Sequence, residues 1–254
     1  MNTAIITIAG LSRRFNEGVA ESDRVLKALH TEGGAEDTLL FHLLRKCAFA
    51  DRIVLVGGYR FDELQDWTER LRGEFPQAVL VKNDRYADLG SGYSLFLGIR
   101  EALRGGADEI LFAEGDLDVD DASFARAAAS RLSVLTYNTS DPIYANKAVV
   151  LYADAAGRYK YLYNSAHGLL SIPEPFSCVL NSGQVWKFTE MDMLQDACEE
   201  FYRTEREATN LAIIQRYVSR IPAEKIELIH LKRWTNCNTR EDYRRILKAW
   251  RNET

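Results

Sequence analysis

Residues 4–15 have the sequence AIITIAGLSRRF, in which a run of β-branched residues ends at Gly10 and is followed by two arginines. A short apolar run that ends at glycine is typical of a buried strand in a parallel sheet. In open α/β sheets, ligands collect at the carboxyl ends of the strands. The loop that follows this strand is therefore the first candidate binding site.

The same pattern continues through the first half of the chain. Three more buried strands are predicted by the apolar runs at residues 52–57 (RIVLVG), 78–82 (AVLVK) and 109–113 (EILFA). Apolar residues at helical spacing predict helices at residues 38–48, 61–75, 93–103 and 122–129. This regular alternation of strands and helices indicates a doubly wound α/β sheet.

The second half of the chain is less regular. Extended segments, some of them antiparallel, are expected at residues 133–137, 148–152, 160–163 and 225–229, and helices at residues 193–203, 207–218 and 240–251. Asn238 or Thr239 is the expected N-cap of the last helix. Because no repeat or linker interrupts the chain, we predict one domain over residues 1–254.

The composition excludes several classes of protein. The chain is 46% hydrophobic and 27% charged, and no apolar run approaches the roughly 20 residues that span a bilayer. No secretory signal is recognised at the start, so a cytoplasmic location is expected. A formal net charge of −5 with scattered basic residues argues against binding to nucleic acid. The four cysteines form no CxxC pair, which argues against a structural zinc site: Cys47, Cys178, Cys198 and Cys237.

The loop after the first strand could hold phosphate groups. Small residues let backbone N–H groups approach phosphate oxygens, and the forked guanidinium of arginine binds them. Arg13 and Arg14 lie in this loop, and Lys27 follows it. The loop is neither a Walker loop, which needs GK[ST], nor a GxGxxG dinucleotide fingerprint. An ordinary strand-to-helix turn with exposed arginines explains it equally well.

Carboxylates follow the fourth predicted strand. Residues 114–121 have the sequence EGDLDVDD, and carboxylates at a strand end can hold Mg²⁺, which keeps several waters and bridges phosphate oxygens. Asp116 is the first candidate metal ligand. Asp120 and Asp121 have a simpler explanation, because they lie near Ser123 at a predicted helix start and can cap it.

Two further segments carry weaker signals. Residues 86–95 (YADLGSGYSL) contain Gly90 and Gly92, which would let backbone groups come close to a flat ligand such as a base. A helix start capped by Ser91 is an alternative explanation of the same segment. Residues 234–243 (WTNCNTREDY), taken alone, indicate only a well-capped helix start.

Together these segments resemble the nucleoside-triphosphate transferase family with the GT-A-like fold, which includes sugar-1-phosphate nucleotidyltransferases and cytidylyltransferases for phosphocholine and phosphonates. The family begins with a loop like AAGLGSRF and a PK.L segment, and this chain has IAGLSRRF and LKAL. The cytidylyltransferase branch is the more similar, with counterparts at Gly58-Tyr59, residues 83–86, residues 92–95 and the segment CNTREDY. The resemblance implies a single-domain, Rossmann-like GT-A nucleotidyltransferase fold with a mixed central sheet flanked by helices.

The resemblance also implies roles for individual residues. Arg14 would bind the triphosphate, and Lys27 would stabilise charge at the α-phosphate. Asp116 would be the first ligand of Mg²⁺ and Asn236 the second. The nucleotide-binding residues would be Ala9, Gly10, Leu11, Ser12, Arg13, Gly90, Ser91, Gly92, Ser94 and Glu114.

Three departures from the family pattern concern the phosphate loop. Ser12 replaces a glycine, Leu26 replaces the proline before the lysine, and residues 16–24 differ from the usual short spacer. These differences bear on how the loop closes over the phosphates.

The implied reaction transfers CMP from CTP to a small phosphorylated or phosphonate acceptor, with release of pyrophosphate. No protein base is required, because the acceptor oxygen is already anionic. Phosphocholine, aminoethylphosphonate or a phosphoamino acid is the expected acceptor, in surface polysaccharide or phosphonate biosynthesis, and a sugar 1-phosphate is the alternative. Two competing hypotheses are a GT-A glycosyltransferase with Asp116-Leu117-Asp118 as its DxD motif and a non-catalytic nucleotide-binding module.

The acceptor site carries only weak signals. Candidates are Glu207, Thr209, Asn210, Lys147 and Lys160, while His167 is expected to be a loop histidine. An aromatic box could receive a quaternary ammonium by cation–π attraction, but core or sheet-face packing is the more common role of such residues. The aromatic residues concerned are Tyr137, Tyr144, Tyr152, Tyr159, Tyr161, Tyr163, Trp186 and Trp234.

Overall fold

The strands of the first half form a parallel sheet. β1 (Asn2–Ile8) lies between β2 (Arg52–Gly57) and β4 (Glu109–Glu114), and β3 (Ala78–Lys82) extends the sheet beyond β2. The carboxyl ends of these four strands therefore lie at one edge. The computed structural model describes residues 1–140, 142–144, 149–162 and 171–253.

Strands of the second half convert this sheet into a mixed one. β9 (Phe176–Phe188) runs antiparallel between β4 and β6 (Ser133–Asn138), and β6 pairs in parallel with β10 (Ile226–Leu231). The hairpin of β7 (Val150–Asp154) and β8 (Tyr159–Leu162) attaches to β9. The strand order is β10-β6-β9-β4-β1-β2-β3. The predicted fold class, an α/β fold with a mixed central sheet, is confirmed.

The sequence pattern does not predict β9. Its residues FSCVLNSGQVWKF lack a clean alternation of apolar and polar side chains, and Gly183 interrupts the run. The second half of the strand is buried because it crosses the sheet between β4 and β6. The four other extended segments of this half lie within two residues of their predicted positions. Residues 148 and 163 of those predictions lie outside the described residues.

Three helices cover one face of the sheet. They are α1 (Leu39–Lys46), α2 (Phe61–Arg70) and α4 (Asp121–Ala129), and their apolar residues pack with Ala4 and Ile6 of β1 in one core. Both strand residues are fully buried. Since side chains alternate along a strand, the residue between them must face the opposite side.

The other face is covered by α3 (Ser91–Arg104), α5 (Met191–Thr204) and α6 (Leu211–Val218), which pack with Ile5 and Val54 in a second core. Helices on both faces explain why the first-half strands are continuous apolar runs. Within the described ranges, no helix is long and apolar enough to cross a membrane.

A two-stranded ribbon connects the end of β4 to the C-terminal part of the chain. β5 (Leu117–Val119) pairs antiparallel with β11 (Trp234–Asn236). The N–H of Cys237 continues the pairing by donating to the carbonyl of Asp116 at 2.7 Å. The chain then enters α7 (Arg240–Glu253), whose apolar face packs on the loop after β1 in a third core.

Helix capping follows the sequence in most places. Asp120 caps α4 by accepting from the N–H of Ser123 at 2.8 Å. Thr239 and Asp242 cap α7 reciprocally: each side chain accepts from the other residue's N–H, at 3.1 and 2.8 Å.

Three local expectations are wrong. The helix expected at residues 61–75 ends at Arg70, and Leu71 is its C-cap. Ser91 does not cap α3, because Gly90 occupies the N-cap position and Ser91 lies in the first turn. The helix expected at residue 207 begins at Leu211 instead, since the preceding residues pack against the start of α3.

Gly98 of α3 tests this packing. A Cβ at this position would lie 2.7 Å from Cγ2 of Ile5 and 3.2 Å from Cγ2 of Val56, which is closer than real contacts allow. We expect Gly98→Val to lower the free energy of unfolding by about 3 kcal/mol through overpacking. Urea denaturation measures the change. Gly73→Val is the control, because nothing lies within 4 Å of a Cβ there, and an equal loss in both variants would contradict the packing described.

Candidate functional site

The carboxyl ends of β1 and β4 and the start of α3 enclose a cavity of about 280 Å³. A cavity at this edge of an open α/β sheet is the expected place for a ligand. Its lining includes most of the residues proposed from the sequence: Ala9, Gly10, Ser12, Lys27, Gly90, Ser91, Ser94, Glu114 and Asp116. Thr7, Ile8, Leu26, Ala28, Tyr86, Leu89 and Gly115 complete it.

The loop after β1 is held in a defined shape at Ser12. This residue has a φ of 52°, in the left-handed region that glycine adopts most easily. Its hydroxyl accepts a hydrogen bond from the N–H of Lys27 at 3.2 Å. Ser12 therefore adopts a glycine-like conformation, and its hydroxyl links the loop directly to Lys27.

Asn16 closes the long segment between the loop and Lys27. Its side-chain NH₂ donates to the carbonyls of Ser12 and Val25 at 3.1 and 2.9 Å, and its oxygen accepts from the N–H of Val25 at 3.0 Å. The residue is only 4% exposed. Residues 16–24, which depart from the family pattern, are thus clamped at their base by one amide side chain.

Lys27 and Asp116 form the ion pair at the centre of the cavity. Nζ of Lys27 lies 2.6 Å from Oδ2 of Asp116, and each side chain is 19% exposed. Parallel pairing of β1 with β4 brings them together, and the N–H of Gly115 donates to the carbonyl of Thr7 at 3.0 Å. A side chain at Gly115 would clash with Ile8. Glycine there lets the acidic loop, which we define as residues 114–121, lie directly against β1.

Glu114 lines the cavity beside this pair. Its Oε1 accepts from the side-chain NH₂ of Asn210 at 2.6 Å. Burial, followed by the negative charge of Asp116, raises the pKa of Glu114 to about 7, while Asn210 and Lys27 act in the opposite direction. Asn210 was a candidate for contacting the acceptor, and the structure instead places it against Glu114 of the cavity lining.

Two buried oxygens at this edge have no hydrogen-bond donor among the described residues. They are Oδ1 of Asp116 and Oδ1 of Asn236, whose side-chain NH₂ donates to Oε1 of Gln184 at 3.3 Å. Unpaired buried acceptors are rare, so their presence on both residues fits a bound cation. The β5–β11 ribbon brings the two residues to neighbouring register positions, although 120 residues separate them in sequence.

These donors suit Mg²⁺. No cluster of three or more His, Cys, Asp and Glu side chains that could hold a metal is found in the described part of the chain. Mg²⁺ needs none, because it keeps several waters and takes one or two protein oxygens together with substrate phosphates. When bound, it would neutralise charge on phosphate oxygens. Asp116 and Asn236 are the residues that would hold it.

Asp118 does not belong to this site. It is 1% exposed, forms an ion pair with Arg233, and accepts from Nε1 of Trp250 at 2.9 Å. Asp121 pairs with Lys46 at the surface. A DxD motif needs a second carboxylate that can face the metal, so the geometry argues against a glycosyltransferase centre here.

The glycines at the start of α3 are explained first by contact with the protein itself. A side chain at Gly90 would clash with the backbone carbonyl of Ala208, and the N–H of Gly92 donates to that carbonyl at 3.2 Å. The hydroxyl of Ser91 accepts from the N–H of Asn210 at 3.2 Å. Gly90 still lines the cavity, but Gly92 faces the protein interior near Phe201 and does not.

Asn83 supports the other side of the cavity. It is fully buried, and its NH₂ donates to the hydroxyl of Ser94 at 2.9 Å while its oxygen accepts from the N–H of Arg85 at 2.9 Å. The turn that carries Tyr86 and Leu89 is thereby fixed to α3. Ser94 owes its place in the cavity wall to this hydrogen bond.

Five proposed residues do not line the cavity: Leu11, Arg13, Arg14, Gly92 and Asn236. Leu11, Arg13 and Arg14 belong to the loop after β1, and Asn236 lies on β11. Arg13 and Arg14 are exposed, and their guanidinium groups have no hydrogen bond or ion pair to the residues that the structure describes. They are available to an anionic ligand.

The candidates for acceptor binding are mostly engaged elsewhere. Nζ of Lys160 lies 2.7 Å from Oε1 of Glu174 and 3.1 Å from Asp154. Glu207 lies against Gly90 through its backbone. Thr209 does not line the cavity. Other residues named from the sequence lie outside the described residues: Lys147, Tyr163 and His167.

The described aromatic residues of the second half serve mainly in packing. Trp186 is fully buried, stacks on Phe112 with ring centroids 5.1 Å apart, and donates from Nε1 to the hydroxyl of Tyr161 at 2.8 Å. Tyr152 is 4% exposed and donates to Glu174. The core-packing explanation is confirmed for these residues.

Sequence reasoning missed three residues that organise the site: Asn16, Asn83 and Gln184. All three act through amide side chains: Asn16 and Asn83 bond within their own loops and to nearby elements, and Gln184 bonds to Asn236, 52 residues away. Asn83 was noted only as part of a motif. No local pattern marks such residues, because their partners are fixed by tertiary structure.

A family model described as "Domain of unknown function (DUF6564)" matches residues 23–250, which is most of the chain. The chain belongs to this family. The matched part of this DUF6564 protein includes Lys27, Asp116 and Asn236 but begins after the loop that carries Arg14. No curated protein matches the chain in sequence.

Solved structures of other proteins share the fold of this DUF6564 protein. An inositol-1-phosphate CTP transferase from T. maritima is similar over 98% of this chain and 95% of its own, with a TM-score of 0.68 and 17% identity. The CTP:phosphocholine cytidylyltransferase from Streptococcus pneumoniae matches over 98% and 99%, with a TM-score of 0.63 and 15% identity. A UDP-glucose pyrophosphorylase complexed with UDP-glucose matches over 100% of both chains, with a TM-score of 0.65 and 12% identity. The resemblance inferred from sequence is confirmed at the level of the fold.

The two aspartates of the acidic loop should respond differently to substitution. Asp118→Ala removes the buried partner of Arg233 and Trp250, and we expect a loss of about 3 kcal/mol in the free energy of unfolding. Asp116→Ala removes a partly exposed pair and should change stability by about 1 kcal/mol or less. Chemical denaturation of both variants measures the two changes in the free energy of unfolding. Similar losses would show that Asp118 has no special structural role.

Asn16 should be required for the shape of the phosphate loop. Asn16→Ala leaves the N–H and the carbonyl of Val25 without partners and removes one of the two donors to the carbonyl of Ser12, so we expect a loss of about 2 kcal/mol in stability and weaker binding of nucleoside triphosphate. Denaturation and calorimetric titration with CTP measure the two effects. Asn2→Ala is the matched control, because Asn2 is exposed on β1; unchanged binding in Asn16→Ala would contradict the assignment of the loop.

Proposed function

We propose that this protein is a Mg²⁺-dependent nucleotidyltransferase that transfers CMP from CTP to a small phosphorylated or phosphonate acceptor and releases pyrophosphate. The observation that carries the proposal is the convergence of Lys27, Asp116 and Asn236 at the carboxyl edge of the sheet, with one unpaired buried oxygen on each of the last two. A polyanion with its metal would satisfy all three groups at once.

The residues of the cavity match the needs of this chemistry. An acceptor phosphate or phosphonate oxygen is anionic, so it attacks the α-phosphorus without a protein base, and pyrophosphate leaves as the P–O bond breaks. Catalysis then depends on orientation and on neutralising charge. Lys27, which lines the cavity, is the cation for the α-phosphate, and Arg14 in the exposed loop after β1 is the cation for the β- and γ-phosphates.

The choice of CTP rests on likeness. Sequence motifs at residues 58–59 and 83–95 are similar to the cytidylyltransferase branch, and two proteins with the same fold are by name a CTP transferase and a cytidylyltransferase. In the structure the second of these motifs contributes Tyr86, Leu89, Gly90, Ser91 and Ser94 to the wall of the cavity. This wall is the proposed base site.

A sugar 1-phosphate is the second candidate acceptor. Three of the seven described aromatic residues that could have received a quaternary ammonium are buried in the core, Tyr152, Tyr161 and Trp186, and the last two are bonded to each other. This packing weakens the case for phosphocholine. The similarity to a UDP-glucose pyrophosphorylase supports a sugar phosphate as the acceptor. The similarity to the CTP:phosphocholine cytidylyltransferase supports phosphocholine to the same degree.

Pyrophosphate release tests the proposal. The protein is incubated with Mg²⁺, each of CTP, UTP, dTTP, GTP and ATP, and each of phosphocholine, 2-aminoethylphosphonate, phosphoamino acids and sugar 1-phosphates. We expect release with CTP and one acceptor, abolished by EDTA and by Asp116→Ala. Lys27→Met should lower kcat by about 10²–10³-fold, as loss of one donor to a developing charge does elsewhere. Lys248→Met, an exposed change on α7, is the matched control.

The outcomes separate the competing functions. Release with UTP or dTTP and a sugar 1-phosphate would assign the second candidate. Turnover of a nucleotide-sugar without pyrophosphate release would assign a glycosyltransferase. Nucleotide binding without turnover over the whole panel would leave a binding module and refute the proposed reaction.

A further inference from the structure

The proposed metal site uses an amide as its second ligand, and an amide can present either of two groups. Asn236 binds a cation through Oδ1, whereas its NH₂ would repel one. Some contact must therefore choose between the two orientations of the side chain. The only side-chain hydrogen bond of Asn236 among the described residues goes from its NH₂ to Oε1 of Gln184, at 3.3 Å.

Gln184 reaches Asn236 because β9 is irregular at this point. Between the pairs Leu135 with Trp186 and Tyr137 with Ser182, three residues of β9 face the single residue Thr136. Such bulges often redirect a side chain beside an active site. Gln184 has a φ of 56°, a left-handed conformation that is unusual and unfavourable for a residue with a side chain.

The irregular segment is held firmly. The hydroxyl of Thr136 accepts from the N–H of Val185 at 3.1 Å and donates to its carbonyl at 2.7 Å, in place of regular ladder bonds. A side chain at Gly183 would clash with Thr136. Gln184 itself is 6% exposed, and its N–H donates to the hydroxyl of Ser182 at 3.2 Å.

The bulge also docks the ribbon that carries Asn236. Nε1 of Trp234 donates to the carbonyl of Gly183 at 2.8 Å, one residue before the contact of Gln184 with Asn236. Two successive residues of β9 thus accept from two side chains of β11 that lie on the same face of that strand. The contact with Gln184 leaves Oδ1 of Asn236 buried and without a donor from the described residues.

We propose that Gln184 is a positioning residue for the metal centre. Its side-chain oxygen, Oε1, accepts a hydrogen bond from the NH₂ of Asn236 and so leaves Oδ1 of Asn236 as the ligand. The inference rests on the proposed function, since it needs the metal site. It explains why a strained conformation is kept at this position. It also predicts that the requirement for Gln184 ends when the ligand is a carboxylate, which has two oxygens and no NH₂ to orient.

Mn²⁺ binding tests the inference. It is measured in the presence of CTP by electron paramagnetic resonance of free Mn²⁺, and the measurement is repeated with UTP. Gln184→Met keeps the size of the side chain and removes the acceptor, and we expect Mn²⁺ affinity to fall about 10-fold or more. Asn236→Asp should bind Mn²⁺ at least as tightly as the wild type. The double variant Gln184→Met with Asn236→Asp should bind as tightly as Asn236→Asp alone.

Gln184→Gly is the control for a variant that fails to fold. Glycine adopts a φ of 56° without strain, and it also lacks the side-chain acceptor. It should lose Mn²⁺ affinity with an unchanged melting temperature. Unchanged affinity in both Gln184 variants overturns the inference. An equal loss of affinity from Gln184→Met in the wild type and in the Asn236→Asp variant also overturns it, because that result would indicate a general structural role. Absence of Mn²⁺ binding in the wild type, or equal binding in Asp116→Ala, refutes the metal site and the proposed function with it.

Discussion

Parallel pairing of β1 with β4 is the constraint on which the candidate site depends. It aligns Thr7 with Glu114, so that the loop after one strand and the acidic loop after the other must lie side by side. Glycine at position 115 lets the two loops touch. The ion pair between Lys27 and Asp116 follows from this alignment and could not form if either strand were shifted by one residue.

A second set of contacts adds the C-terminal part of the chain to the site. The buried Asp118 binds Arg233 and Trp250, and the β5–β11 ribbon forms between these anchors. One consequence is that Asn236 arrives beside Asp116. Neighbouring aspartates in one loop thus have separate roles: Asp118 stabilises the ribbon, and Asp116 keeps an unpaired oxygen for a ligand.

Amide side chains carry out much of the organisation around the cavity. Asn16 closes the phosphate loop, Asn83 fixes the wall formed by α3, and Asn210 holds Glu114. Each uses its NH₂ as a donor at a buried position, where an unmet hydrogen bond is unfavourable, and Asn16 and Asn83 also accept through their side-chain oxygens. Neutral amides can do this without adding charge around the ion pair of Lys27 and Asp116.

The sequence by itself determined the parallel first half, because continuous apolar runs at strand length and amphipathic helices between them have few other solutions. It also located the loop after β1, Lys27 and Asp116, since each directly follows a strand or belongs to a recognisable motif. The roles of Gln184 and Asp118 were decided only by tertiary structure. Their partners lie up to 132 residues away, and strand β9, which carries Gln184, has no periodic pattern of its own. Hydrogen bonds between distant side chains leave no local signal, so folding had to bring these residues together before their functions could be recognised.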